Sequence, residues 1–176
     1  MSDQQILAAL HAQALPRLGS HAYALTGSYS AAEELVQAAI VKAFSRKRGF
    51  RDVAGAEAYV RAAIRTLHLD ALRRQARWTG ALPVLAREES VDDGTAAVDG
   101  ADLVARGMAT LAPRVRTAIA LRYIEDLTVA DIAHAMRISE GTVKGYLKEG
   151  RARLGSLWGV EAVDDDEVVE VREVRR

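Results

Sequence analysis

The residues with the clearest chemical potential lie close together near the end of the sequence. The stretch 140–145 reads Glu-Gly-Thr-Val-Lys-Gly, and Lys148 and Arg151 follow Lys144 at helical intervals. Lysine and arginine can neutralise phosphates or reach guanine, and the Thr142 side chain can meet a thymine methyl or hydrogen-bond a base. This combination of residue types and spacing predicts a helix that contacts DNA.

Two short helices joined by a tight turn would position these side chains. Thr128 precedes the apolar-periodic segment 129–136 and has Asp131 three residues on, which predicts a capped helix start. The turn 137–139 follows, and Ser139 is placed to cap the last helix. This is the helix-turn-helix pattern, whose second helix enters the major groove. The periodicity of that helix predicts that Val143 and Leu147 pack inward. The pattern alone leaves a plain helical hairpin open as the alternative.

Helical periodicity also dominates the first 78 residues. Apolar residues recur at near-helical spacing, and Ser30 with Glu33 predicts a capping box at one helix start. The stretch 49–55 has the composition of a loop. The predicted helices are 5–26 with a kink or boundary at Pro16, 30–48, 56–78, one resuming at Leu103, 111–124 with Pro113 in its first turn, 129–136 and 139–157.

The charges are segregated along the chain although they sum to zero. Residues 1–78 hold 11 Lys/Arg against 6 Asp/Glu (net +5), and residues 103–158 hold 9 against 5 (net +4). The intervening 79–102 holds 1 against 6 (net −5), and 159–176 holds 3 against 7 (net −4). We therefore predict an all-α fold of two small helical domains, 1–78 and 103–158, joined by a flexible acidic linker and followed by an acidic tail.

Composition argues against several classes of protein. The chain has no cysteine, no apolar run of the ~18 residues that cross a bilayer, and no signal-peptide pattern, which predicts a cytoplasmic protein without membrane insertion. Glycine-rich phosphate loops, nucleophile elbows and metal-ligand spacings are absent from the sequence, so we expect no enzyme activity, small-molecule substrate, cofactor or metal. The four histidines share no face and are predicted to be superficial or half-buried.

Three stretches together resemble a known family. LAPRVRTAIALRYIEDLTVADIAHAMRISEGTVKGYLKEGRARL (111–154) resembles region 4 of the extracytoplasmic-function (ECF) sigma factors of bacterial RNA polymerase. AAEELVQAAIVKAF (31–44) is similar to region 2.2 of that family, and AEAYVRAAIRTLHLDALRRQAR (56–77) to regions 2.3 and 2.4. The resemblance spans about residues 5–158, with the motifs in the order that the family has.

The resemblance implies a function in promoter recognition and strand opening, with two partners. Core RNA polymerase would bind the polar face of the second helix, and promoter DNA would bind as duplex and as opened non-template strand. An anti-sigma factor is a further partner that the family suggests. The residues implied for polymerase binding are Glu34, Gln37, Val41 and Lys42.

The resemblance also assigns residues to the two promoter elements. For the minus-thirty-five duplex they are Arg122, Glu140, Thr142, Lys144, Gly145 and Lys148, to which Arg151 is added from its spacing. For the minus-ten strand, where a flipped base needs a snug pocket and a basic groove, they are Arg48, Phe50, Arg51, Tyr59, Arg61, Arg65, Arg73 and Arg74.

One alternative accounts for part of the sequence. A helix-turn-helix regulator that acts without polymerase would explain 111–154, but it leaves the stretches 31–44 and 56–77 and the acidic linker without a purpose. One departure from the family concerns the tight turn, where Arg137 stands in place of the usual glycine. A left-handed backbone there is uncommon for arginine.

Overall fold

The computed structural model describes residues 2–45, 49–79 and 100–159. Within these ranges every regular element is an α-helix, which confirms the all-α prediction. The helices are α1 (Asp3–Gln13), α2 (Leu15–Thr26), α3 (Tyr29–Phe44), α4 (Val53–Thr79), α5 (Gly100–Ala109), α6 (Pro113–Tyr123), α7 (Val129–Met136) and α8 (Glu140–Trp158). Most of the predicted linker and nearly all of the predicted tail lie outside the described residues.

Helices α1–α4 form an N-terminal domain, and their buried apolar residues belong to one continuous core cluster with those of the C-terminal helices. The predicted boundary near Pro16 is a full break, because Ala14 ends α1 and Pro16 occupies the first turn of α2, where its missing N–H leaves no helical bond unmade. Helix α3 packs against α2 and α4. Its inward side is buried, and the buried residues of α3 are Ala32, Val36, Ala39, Ile40 and Ala43.

The predicted cap of α3 is wrong by two residues. Ser28, and not Ser30, is the N-cap: its backbone is extended and its side chain accepts a hydrogen bond from the Ala31 N–H. The reason is Gly27, whose positive φ of 69° ends α2 and leaves Ser28 as the only extended residue before the next helix. Helix α3 also ends at Phe44, before the predicted end at residue 48.

Helix α4 begins at Val53, three residues before the predicted start. The Asp52 carboxylate accepts a hydrogen bond from the Gly55 N–H at 2.7 Å, and the Asp52 carbonyl accepts one from the Ala56 N–H. Asp52 therefore acts as the N-cap of α4. The sequence did not predict this cap, because the glycines of 49–55 indicated a loop. Helix α5 likewise begins at Gly100, ahead of the predicted resumption at Leu103.

Helices α5–α8 form the C-terminal domain, with α6 at its centre. Pro113 opens α6 as predicted, and every residue from Val115 to Leu121 is buried. The helix-turn-helix comprises α7 and α8 and begins with the predicted capping box, in which Thr128 and Asp131 each satisfy a backbone N–H of the other. Ser139 caps α8 as predicted, through the Thr142 N–H.

Arg137 adopts the left-handed conformation, with φ 56° and ψ 50°, and ends α7. Its N–H bonds the Ala133 and His134 carbonyls, so the turn has the geometry that a glycine usually supplies. The cost of the left-handed backbone for a residue with a Cβ is about 1 kcal/mol. The closely spaced helices on either side fix this turn despite that cost.

Removal of the α7 cap is expected to lower the stability of the C-terminal domain. Thr128→Ala leaves the Asp131 N–H without its partner at 3.1 Å, and loss of such a cap costs about 1 kcal/mol. Urea unfolding followed by far-UV circular dichroism measures the difference. Ser156→Ala, at an exposed position in α8, is the control and should change the free energy of unfolding by a few tenths of a kcal/mol at most. Equal effects in both variants would contradict the capping role.

The two domains pack against each other. Helix α6 lies against α2, α5 also touches α2, and α7 touches α4. The contact therefore involves α2 and α4 of the N-terminal domain and α5, α6 and α7 of the C-terminal domain.

Candidate nucleic-acid interface

Helix α8 has a polar, solvent-exposed side and an apolar side that is buried in the domain. Val143 and Leu147 are buried beneath the helix, as predicted. The Thr142 hydroxyl is 2.8 Å from the Ser139 hydroxyl, and its backbone N–H is used by the cap. The remaining predicted residues of the N-terminal half, Glu140, Lys144, Gly145 and Lys148, are all exposed. The arrangement holds two ammonium groups one helical turn apart on a fixed backbone.

Two predicted residues at the edge of this face make contacts within the domain. Arg122 donates from Nη1 to the Leu127 carbonyl at 3.1 Å and so ties the end of α6 to the start of α7. Arg151 donates from Nη1 to the Tyr123 hydroxyl at 3.3 Å. Both side chains therefore help to orient the helix-turn-helix on α6.

Aromatic side chains cluster where α3 ends and α4 begins. The Phe50 ring lies between Phe44 and Tyr59, with ring centroids 5.1 and 5.6 Å away. The predicted pair Phe50 and Tyr59 is therefore brought together, with each residue half-buried. Arg51 is exposed beside them, whereas Arg48 lies outside the described residues.

The four predicted arginines of α4 differ in their surroundings. Arg61 bonds Glu57 at 3.4 Å within the helix, and Arg73 bonds Asp70 at 2.7 Å. Arg65 forms an ion pair with Glu125 of the C-terminal domain. Arg74 is exposed.

A cleft of about 460 Å³ lies where α4 meets the helix-turn-helix. Its basic wall contains Arg73, Arg74, Arg77, Arg114 and Arg137, accompanied by a single carboxylate, that of Asp70. Five guanidinium groups around one cleft create a strongly positive potential, which attracts phosphate. The family resemblance assigned Arg73 and Arg74 to DNA binding, whereas only the packing of the domains brings Arg114 and Arg137 to the same cleft.

The outward face of α3 is the surface predicted to bind polymerase. Glu34, Gln37 and Lys42 are exposed, and Val41 has 65% of its surface exposed. All four predicted side chains are therefore accessible from solvent on one side of α3.

Two histidines contradict the prediction that all four are superficial or half-buried. His21 is 4% exposed and His68 is 8% exposed. Burial lowers the pKa of His21 to about 4, with a smaller contribution from Arg61 and Arg65. Burial also lowers the pKa of His68 to about 4, with Arg116 contributing. Both imidazoles are therefore neutral at pH 7, because the charged form would lose its hydration.

Three further residues of the domain contact were not anticipated from the sequence. Arg116 and Thr117 are buried in α6, and Glu125 faces the N-terminal domain. One signal could have pointed to the first two. They interrupt the apolar run 115–121, and polar residues on a helix that is otherwise apolar on all sides need buried partners.

Among residues 2–45, 49–79 and 100–159, no helix is long and apolar enough to span a membrane. The same residues contain no group of three or more His, Cys, Asp or Glu side chains arranged to hold a metal ion.

The fold and these basic surfaces define a helical DNA-binding protein with a helix-turn-helix domain. Models of two families match the chain, sigma-70 region 2 over residues 10–78 and sigma-70 region 4 over residues 101–154. The chain belongs to the ECF sigma factors of bacterial RNA polymerase, alternative sigma factors that direct transcription initiation.

Named relatives agree with this assignment. The chain is 33% identical over 126 residues to an RNA polymerase sigma-E factor of Streptomyces avermitilis, covering 70% of this chain and 68% of the relative. It is 31% identical over 130 residues to the ECF RNA polymerase sigma factor SigM of Mycobacterium tuberculosis, covering 73% and 64%. The sigma factor RpoE of Bartonella quintana, solved with the anti-sigma factor NepR, shares the fold with a TM-score of 0.52 at 23% identity, covering 90% of this chain and 96% of that one.

Proposed function

We propose that the chain acts in the cytoplasm, without catalytic activity of its own, as a promoter-specificity subunit that binds core RNA polymerase. The N-terminal domain holds polymerase and the opened minus-ten strand, and the C-terminal domain binds the minus-thirty-five duplex. The observation that carries the proposal is the exposed face of α8. Lys144 and Lys148 project from a helix whose opposite side is anchored by buried Val143 and Leu147.

In the major groove, the start of α8 reads the minus-thirty-five element. Thr142 and Glu140 face base edges, because the first turn of a recognition helix enters the groove. Lys144 and Lys148 contact phosphates or guanine, and Gly145 permits the backbone to approach the DNA. Arg122 and Arg151 support this helix through their contacts with Leu127 and Tyr123.

On the N-terminal domain, the aromatic cluster and the α4 arginines receive the single strand. An unstacked base has a flat face that stacks on Phe50 or Tyr59, and Arg48 and Arg51 bind the neighbouring phosphates. Arg61, Arg65, Arg73 and Arg74 continue the phosphate track along α4. The α4 wall of the positive cleft supports this path, since its Arg73, Arg74 and Arg77 attract a polyanion.

Polymerase binds the outward face of α3. Val41 supplies apolar contact, while Glu34, Gln37 and Lys42 supply a polar rim, the usual composition of a protein interface. An anti-sigma factor is a further proposed partner, as the family resemblance suggests. The apolar groove between α2, α3 and α5, lined in part by Tyr29, Val36 and Val104, is a suitable surface for it.

Run-off transcription tests the proposal directly. Purified core polymerase is combined with the chain and a pool of promoter fragments from the source genome. Discrete transcripts that require the chain would support it, and alignment of their start sites would identify both promoter elements. Absence of transcripts together with absence of binding to core would instead favour a helix-turn-helix regulator that acts without polymerase.

A reciprocal pair of variants separates the two proposed surfaces. Lys144→Ala is expected to weaken binding of a minus-thirty-five duplex about threefold to tenfold and to reduce the salt dependence of log K by about one unit, because one phosphate contact is lost. Lys42→Ala removes the same charge from α3 and should leave duplex affinity unchanged while weakening core binding. Fluorescence anisotropy over a salt series measures the first effect. Equal loss of duplex affinity in both variants would contradict the assignment of α8.

A further inference from the structure

Among the described residues, polar contacts of α6 and of Glu125, which follows it, join the two domains. Arg116 donates to the Thr26 carbonyl, Thr117 bonds His68, and Glu125 pairs with Arg65. Their partners lie 49 to 90 residues earlier in the chain. We call this set, Arg116–Thr26, Thr117–His68 and Glu125–Arg65, the interdomain latch.

The first contact depends on a glycine. Arg116 also donates from Nη2 to the Leu111 carbonyl at 2.8 Å, so its guanidinium joins one backbone oxygen in each domain. The guanidinium lies directly on Gly27, where a Cβ would come within 1.6 Å of Nη1. Because α2 ends there with unpaired carbonyls, a buried cation is well placed against the negative end of the helix dipole.

The second contact fixes a histidine. The Thr117 hydroxyl donates to the Pro113 carbonyl at 2.8 Å and has no second proton to give. At 2.8 Å from the same hydroxyl, His68 Nε2 therefore acts as the donor. The neutral imidazole is thus held across the domain boundary in one tautomer.

The third contact involves a residue proposed to bind DNA. The Glu125 side chain is 7% exposed and its carboxylate pairs with the Arg65 guanidinium, in a cleft that Arg61 also lines. Carboxylate and phosphate oxygens use the same guanidinium donors. Glu125 therefore occupies the position on Arg65 that a DNA phosphate would need.

Some polar groups at the contact between the domains lack hydrogen-bond partners. Among the described residues, neither ring nitrogen of His21 has a hydrogen-bond partner, and Glu125 Oε1 has none either. The His21 Nε2 to Glu125 Oε1 distance is 3.4 Å, but a neutral imidazole gives this contact no ion-pair character. Buried polar groups without partners favour exposure to water. Separation of the domains would hydrate all of them.

Promoter binding requires that separation. The two promoter elements are about 25 base pairs apart, or roughly 85 Å of B-DNA. Here the α7 helix of the helix-turn-helix touches α4, which carries the minus-ten arginines. The two domains cannot occupy both elements while this contact persists.

We propose that the interdomain latch closes the free protein, and that Glu125 acts as an intramolecular competitor of DNA phosphate for Arg65. This inference rests on the proposed role of α4 in binding the minus-ten strand. Because the latch lies on helices that also face the proposed DNA track, its release would couple domain separation to exposure of Arg65.

Glu125→Gln tests the proposal, with Asp126→Asn as matched control. Asp126 is exposed next to Glu125 and has a left-handed backbone that asparagine tolerates, so the control removes the same charge outside the cleft. The chain has no native cysteine, so Ala8→Cys and Ser156→Cys, both exposed, accept a donor and an acceptor dye. Energy transfer reports domain separation, and anisotropy reports binding of a labelled 12-nucleotide single-stranded DNA of mixed sequence.

We expect Glu125→Gln to lower energy transfer and to raise single-strand affinity about tenfold, the lower end of the scale of one charge-assisted contact. Asp126→Asn should match the parent protein in both measurements. Thr117→Val, which removes the His68 contact without touching the DNA track, should also lower energy transfer. If Glu125→Gln fails to fold, Thr117→Val still tests whether the latch holds the domains together.

Unchanged energy transfer in both Glu125→Gln and Thr117→Val would overturn the latch. Reduced energy transfer with unchanged single-strand affinity would overturn the competition for Arg65. Run-off transcription by the parent protein separates this failure from failure of the proposed function. Transcripts in that assay would leave the sigma role intact and assign the failure to the latch alone.

Discussion

Replacement of Gly150 by leucine is expected to destabilise the C-terminal domain by about 3 kcal/mol, the upper end of the cost of overpacking. Gly150 is buried where α8 crosses α6, and a Cβ there would lie 2.5 Å from Ile119 Cγ1 and 3.2 Å from Val115 Cγ1. Because residues 115–121 of α6 are all buried, the helix is packed on every side at this point and cannot move away from the new side chain. The added side chain therefore displaces residues at the centre of the domain, which lowers its stability.

A thermal melt followed by far-UV circular dichroism measures this effect. For a domain of this size, a loss of 3 kcal/mol corresponds to a midpoint about 10–20 °C lower. Gly145→Ala in the same helix is the control, because nothing lies within 4 Å of its Cβ position. Alanine at that exposed site should stabilise the helix by about 1 kcal/mol. A Gly150→Leu midpoint equal to that of the parent protein would show that α6 and α8 do not pack this closely.

The Gly145 variant is informative about function as well. If this glycine permits close approach to DNA, Gly145→Ala should bind the minus-thirty-five duplex more weakly while melting at a higher temperature. Stability and affinity would then change in opposite directions at one position. Such a separation cannot arise from general loss of folding.

Acidification from pH 7.5 to 5 is expected to lower the free energy of unfolding by about 2–4 kcal/mol. Burial lowers the pKa of both His21 and His68 from 6.5 to about 4, so the unfolded chain binds more protons than the folded one between these values. Stability is therefore highest above pH 6.5 and falls as the pH approaches 4. The groups that face these histidines are Arg61, Arg65, Glu125, Arg116 and Thr117.

Urea unfolding at several pH values between 7.5 and 5 measures the slope. The hydrogen bond with Arg17 lowers the pKa of Glu57, so protonation of Glu57 reduces the free energy of unfolding mainly below pH 4.5. The window from pH 7.5 to 5 therefore avoids most of that effect. The double variant His21→Gln, His68→Gln should lose most of the pH dependence, whatever its stability at pH 7.5. His11→Gln, at an exposed position, should retain it. A slope that survives in the double variant would mean that other groups cause it.

The same linkage has a consequence for the domain contact. Both histidines lie at the boundary between α2 or α4 and the C-terminal domain, where Glu125 and Thr117 meet them. Protonation would place positive charge beside Arg65 and Arg116, so mild acid should favour separated domains over closed ones. The dye pair on Ala8→Cys and Ser156→Cys would report this as lower energy transfer at pH 5, at a pH where far-UV dichroism still indicates folded helices.

Local signals in the sequence determined most of the helices and their ends. Thr128 with Asp131, Pro113 and Ser139 were predicted in the roles that they have, because a cap acts through bonds between residues three positions apart. Periodicity likewise predicted that Val143 and Leu147 face inward. The order of the motifs identified the family, and with it the fold of both domains.

The sequence predicted the wrong helix start where two nearby residues could both act as the N-cap. Ser28 and Ser30 both have a hydroxyl that can cap α3, and only the left-handed Gly27 decides between them. Asp52 caps α4 from within a stretch whose glycines predicted a loop. Competing caps differ by tenths of a kcal/mol, which the packing of α3 and α4 against α2 easily outweighs.

The relation between the domains was decided by tertiary structure alone. Arg116 meets Thr26 across 90 residues and Arg65 meets Glu125 across 60, and no spacing rule connects such positions. The burial of His21 and His68 follows from that contact, which is why their sequence neighbours did not predict it. Caps and periodicity describe one helix at a time. The Arg65–Glu125 ion pair forms only when the loop after α6 packs against α4 and removes most of the Glu125 side chain from water.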